Sequence, residues 1–188
     1  MTVRSSAGRR RAPALLALGA LLAGGLSACS AEPGAAAVVD GEAISVETVQ
    51  DAVSDLGPYL ENVTQSSVLM VLIVAPTFDR AATDAGIGVS TAQAEALLDE
   101  VVQGAAEAGR VPAPSSEFSA GAVEVARFTL IQQGLQALPD ADQVLTATTE
   151  DLAALDAEVN PRYGELDLST ARINPSAYPW IVAPAAAG

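Results

Sequence analysis

The groups in this chain that carry chemistry are one thiol, many carboxylates and hydroxyls, and nine guanidiniums; histidine and lysine are absent. Without imidazole or a second thiol there is no Ser-His-Asp or Cys-His nucleophile, and no Cys or His metal site. Without lysine there is no Schiff base and no lysine for a phosphate-binding loop. With Cys29 as the sole cysteine no internal disulfide forms. Asp40 and Glu42 flank Gly41 at an Asx-Gly turn, which gives them a structural role rather than that of a catalytic pair. Asp140 and Asp142 lack the ligand spacing of a calcium loop. The inventory points to binding rather than turnover. The expectation is a protein that is not an enzyme and needs neither cofactor nor metal.

Cys29 has a specific context. Arg4, Arg9, Arg10 and Arg11 precede Leu15, Leu16, Leu18, Leu21 and Leu22, which are padded by Ala and Gly. A basic start, a short apolar run and small residues form a secretory signal, whereas a spanning helix needs about 20 apolar residues. The ending Leu26-Ser27-Ala28-Cys29 resembles a bacterial lipobox. The resemblance implies cleavage before Cys29, a diacylglycerol thioether on its sulfur and an acylated (palmitate-type) new N-terminus. Cys29 is thus the expected lipidation site, and the outer face of the cytoplasmic membrane the expected location. All 23 acidic residues follow that point, against Arg80, Arg110, Arg127, Arg162 and Arg172. So acidic a surface repels nucleic acid.

Four segments follow from composition: signal peptide 1–28, lipidated tether 29–35, one domain 36–173, and a tail 174–188 with Pro175, Pro179 and Pro184. The domain opens with Ala36–Val39, Asp40-Gly41 and Glu42–Ile44, a hairpin signal. Ser45 caps a first helix with Val46, Val49, Val53 and Leu56 on one face, stopped by Gly57-Pro58. A second helix is expected from Tyr59 to about Ala85, closed by Gly86 and Gly88 and kinked or reset at Pro76. Its run Val68–Val74 reads as a buried central helix or as a ridge that binds other chains.

Ser90 and Gln93 form a capping box for a third helix, with Ala94, Leu97, Val101, Ala105 and Ala108 as its core stripe, widened by Leu98 and Val102. Arg110–Ser116 is a loop. A fourth helix carries Val125, Phe128, Ile131, Leu135 and Leu138 and ends at Pro139. A fifth spans Asp140 to about Leu155, with a break expected around Thr146–Thr149. Glu158–Gly164 is extended and turn-rich because Pro161 restrains Asn160. Glu165–Asp167 and Ala171–Ile173 are short strands. The fold class is mainly α with a minor α+β character: about five helices, and a small β element joining the two ends. In particular, Val38 and Val39 are expected to pair near Val159.

The segment Ala36–Val46, together with Val159-Asn160-Pro161-Arg162-Tyr163-Gly164 and Asp167, resembles the SurA/PrsA family of extracytoplasmic chaperone-foldases. The resemblance covers about Ala36 to Ile173. It implies a helical N-terminal-type domain that holds extended segments of unfolded secreted proteins in apolar grooves. The parvulin isomerase module of many members uses histidines and extra length, and this chain has neither to spare. For a peptide-binding groove of this kind the candidate contacts are Tyr59, Met70, Phe78, Phe128 and Trp180. Arg162 reads either as a carboxylate ligand or as a structural ion pair. Trp180 belongs to a tail that is either a recognition peptide or a cover for apolar surface. The function expected is a membrane-anchored holdase; the alternative is an accessory lipoprotein docking onto one envelope protein.

Overall fold

A computed structural model describes residues 33–109 and 117–176. Cys29, Trp180, the rest of the tail beyond Ser176 and the Arg110–Ser116 loop lie outside the described residues. Contacts divide the chain into units 1–30 and 31–188, and every described residue belongs to the second.

The chain enters through β1 (Ala35–Val39) and turns at Asp40-Gly41 into β2 (Glu42–Ser45). Both turn residues have positive φ, 50° and 85°, the combination a tight hairpin with right-twisted strands requires. Ser45 then caps α1 (Val46–Leu56), its hydroxyl accepting from the Thr48 amide at 2.9 Å. β1 thus takes in Ala35, the last residue of the expected tether.

The central helix, α2 (Gln65–Asp84), starts six residues later than the spacing predicts. Its signal is a second capping box. The Ser67 amide donates to the Thr64 hydroxyl at 3.1 Å, and the Thr64 amide donates to the Ser67 hydroxyl at 2.9 Å. The serine at the third helical position stands where Glu or Gln is usual, which hides the box in the sequence. Residues Tyr59–Val63 form a turn instead, with Asn62 at φ 62°. Pro76 does not break α2. It lies on the exposed side, while Ile73, Thr77 and Ala82 are buried. The helix ends in a Schellman motif around Gly86 (φ 73°): the Gly86 amide donates to Thr83 O and the Ile87 amide to Ala82 O.

The Val68–Val74 run is core. Leu69 and Ile73 have no exposure, and only Val71 is partly open. By length and apolarity α2 also passes for a membrane span, but half of that window is buried by protein. It packs on α1, β1 and three later elements, so its apolar surface is removed from water within the fold.

α3 (Thr91–Glu107) begins at the expected box, with the Gln93 side chain accepting from the Ser90 amide at 2.9 Å. Its buried line is Ala94, Leu98, Val102 and Ala105; Leu97 and Val101 are only partly covered and Ala108 is exposed. The stripe is rotated from the expected one, because adjacent leucines at 97 and 98 fit either face.

α4 (Ala120–Gln136) packs against α1, α2 and α3. Gly121 permits the α1 approach, since a Cβ there would lie 2.9 Å from Thr48 O and 3.1 Å from Ala52 Cβ. α5 (Ala141–Ala153) is unbroken. Its threonines bond back along the helix, with Thr146, Thr148 and Thr149 hydroxyls donating to carbonyls four residues earlier at 2.7–2.8 Å.

The C-terminal part closes the sheet. β3 (Ala157–Val159) lies antiparallel to β1, with Ala37 opposite Val159 and Val39 opposite Ala157, so the two ends of the domain pair as expected. β1 is the middle strand of the order β2-β1-β3. A second, two-stranded sheet of β4 (Glu165–Asp167) and β5 (Arg172–Asn174) packs on α2. Its last strand takes in Asn174, the first residue of the expected tail.

Candidate binding groove

Where α5 lies beside the C-terminal half of α2, the two helices do not fill the space between them. A cleft of about 370 Å³ opens there. Ala81 and Ala85 of α2, Leu138 of the α4–α5 turn, and Val144 and Ala147 of α5 line it. Small side chains on both helices leave the depression. Beneath it, Ala82, Ile131 and Leu135 form a second buried cluster against which Ile87, Leu138 and Val144 pack. Thr148, 2 % exposed, spends its hydroxyl on Val144 O and adds no free polar group.

A second cleft of about 300 Å³, lined by Asp40, Arg80, Ala81, Asp84, Asp151, Ala154 and Leu155, adjoins the first. Ala81, Asp84 and Asp151 border both clefts. Between them the two clefts, called the groove below, border α5 from Gln143 to Asp151.

Its polar border is acidic. Asp140 stands at the N-cap of α5 but makes no capping hydrogen bond with its side chain. Asp84 is the last residue of α2, and Asp151 sits in the last turn of α5, where neither helix has a basic residue. The sole cation among the described lining residues is Arg80, which donates to the Thr77 hydroxyl at 3.3 Å. Among the described residues the ion pair is Arg127–Glu124 at 3.2 Å, away from the groove. The groove carboxylates are thus unneutralised, and an apolar floor lies between negative edges.

The aromatic and sulfur candidates do not line this groove. Met70 and Phe128 are core residues, 6 % and 8 % exposed. Phe78 meets the Phe128 ring edge-on at 5.0 Å between α2 and α4. Tyr59, partly exposed, meets Phe118 edge-on at 6.3 Å. Apolar packing has used these side chains, so Met70 and Phe128 offer no surface to a ligand in this conformation. Cys29 and Trp180 are outside the described residues.

Arg162 is exposed and its guanidinium lies 5.2 Å over the Tyr163 ring; among the described residues it makes no ion pair, so the second of its two readings is not seen there. Its neighbours explain the Asn160–Gly164 motif. The Asn160 amide donates to Ala36 O at 2.9 Å and its side chain to Ala35 O at 3.1 Å. Tyr163 is buried, and the Ser66 hydroxyl contacts its carbonyl at 3.4 Å. Gly164 has φ 125°, and a Cβ there would strike Asn174 O. Asp40 is likewise structural: its amide donates to Asp156 O at 2.7 Å, and its carboxylate accepts from the Asp156 amide at 3.3 Å.

Sequence reasoning missed the groove. Its floor is alanine on helices some sixty positions apart, which carries no periodic signature; the legible sign is an acid at the C-terminal end of α2 and of α5. Comparison with family models, curated proteins and solved structures finds no match for this chain.

Proposed function

We propose that this protein is a membrane-anchored extracytoplasmic holdase module, which binds extended segments of secreted proteins without catalysis. The observation that carries this reading is the groove beside α5: open at the surface, with an apolar floor of Ala81, Ala85, Leu138, Val144 and Ala147 in its larger cleft. The resemblance of Ala36–Val46 and Val159–Gly164 to the SurA/PrsA family supports the same reading. The lipobox at Leu26–Cys29 supports the anchor, since a diacylglycerol plus an N-terminal acyl chain holds a protein stably on a membrane.

The test is aggregation of several unrelated, chemically unfolded proteins on dilution. Suppression at near-stoichiometric amounts is expected, with no acceleration of prolyl isomerisation. Failure to suppress aggregation of any of them overturns the holdase reading. Detergent partitioning of Cys29→Ala tests the anchor: release into the aqueous phase, or retention of the unprocessed signal, is the expected result.

A further inference from the structure

We propose that the α2–α5 groove selects segments in which apolar residues alternate with arginine or lysine. The inference rests on the holdase reading and specifies its clients. The lining supplies both halves of the complement. Ala81, Ala85, Leu138, Val144 and Ala147 form a floor for apolar side chains. Asp140 borders one cleft, Asp84 and Asp151 both, and Asp40 the other, with Arg80 as the one opposing charge among the described lining residues.

The four carboxylates are exposed and are distributed over the lining of the two clefts rather than gathered at one point. An extended chain places alternate side chains on opposite sides, with same-side neighbours about 7 Å apart, so one set faces the floor and the other the rim. Two of the acids also stand where helix geometry disfavours them. Asp84 and Asp151 stand at the negative ends of their helices, where an acid is disfavoured and a lysine or arginine is preferred. Both face the same groove, where a bound cation would relieve both. The described tail residues are no substitute, and Ala177–Gly188 contain no charged side chain to complement the rim.

The experiment uses the protein as isolated from the expressing cell and three fluorescent peptides of about eight residues, alternating Leu with Arg, Leu with Ser, or Leu with Glu. Affinities are read by fluorescence anisotropy at low and high salt. The expected order is Leu–Arg, then Leu–Ser, then Leu–Glu, with the Leu–Arg affinity falling about tenfold between about 20 mM and about 500 mM salt. In the double variant Asp84→Asn/Asp151→Asn, Leu–Arg binding should weaken about five- to tenfold, with Leu–Ser binding unchanged. That variant should also melt at least as high as the parent, because each substitution removes an unfavourable helix-end charge. Equal, salt-insensitive binding of Leu–Arg and Leu–Ser overturns the charge selection and leaves the holdase reading standing. Leu–Arg binding that the double variant does not weaken also overturns it. Binding of none of the three overturns both readings.

Discussion

The side-chain amide of Asn160 donates to the backbone carbonyl of Ala35 at 3.1 Å, across 125 positions of sequence. Its own amide donates to Ala36 O and its carbonyl accepts from the Tyr163 amide, both at 2.9 Å. Its side-chain oxygen accepts from the Arg162 amide at 3.2 Å. One residue thus terminates the β1–β3 pairing and starts the turn that follows. Asn160→Ala removes both side-chain bonds and leaves the carbonyl of buried Ala35 short of a donor. We expect a loss of about 2 kcal/mol in urea denaturation; stability equal to the parent would show that the clasp is held by the backbone alone.

Gly164 tests a different constraint. A Cβ at Gly164 meets the Asn174 carbonyl, whereas a Cβ at Gly41 (φ 85°) meets nothing within 4 Å. Gly41→Ala should therefore cost about 1–2 kcal/mol, the left-handed conformation alone. Gly164→Ala should cost more, and should expose the segment after Asn160 to limited proteolysis. Equal effects of the two substitutions would place no close approach at Gly164.

Phe128 separates packing from binding. Its ring is buried and meets Phe78 edge-on at 5.0 Å. Phe128→Ala should cost about 3–5 kcal/mol, the usual range for emptying such a site. Phe128→Leu should keep the fold with a smaller loss, and should leave the affinity for the Leu–Arg peptide unchanged. A fall in that affinity at full stability would return Phe128 to the binding surface.

Two carboxylates pull the pH dependence of stability in opposite directions. Glu124 is raised above its ordinary value of 4.5, first by burial and further by Asp79, against the pull of Arg127. In the window above 4.5 the folded state then holds more protons than the unfolded one, so stability falls as pH rises through it. Asp167 is lowered below 3.8 by hydrogen bonds from Ser169 and Thr170, so its contribution is present above 3.8 and lost on further acidification. Urea melts from about pH 7 to about pH 4 should show a rise attributable to Glu124. Glu124→Gln should abolish that rise; an unchanged profile in the variant would assign it elsewhere.

The elements legible in the sequence are those whose signals are local. Ser45, the Ser90–Gln93 box, Asp40-Gly41 and the breaks at Gly57, Gly86 and Pro139 each act within a few residues, and each marks an observed boundary. The pairing of Val38 and Val39 beside Val159 was legible because two short extended segments each needed a partner. Signals with two solutions did not resolve. Thr64–Ser67 is an unusual capping box, Leu97-Leu98 suits either face of α3, and the α5 threonines read as a break until their hydroxyls are seen bonded to the helix. The groove was illegible for a different reason. It depends on alanines that leave space, and a missing volume has no signature in a one-dimensional pattern.

The position of β1 between β2 and β3 also imposes an order on maturation. β1 is the first element of the domain to be synthesised, yet its second edge is filled by residues near Val159. Closing a loop of that length costs about 4 kcal/mol of chain entropy, recovered only when the late contacts form. Until then the α1–α4 helices can gather, but one row of β1 backbone groups waits unpaired. Completion therefore waits for the synthesis of the last 32 of 188 residues, and a chain stalled before Ala157 would present an open strand edge to its neighbours.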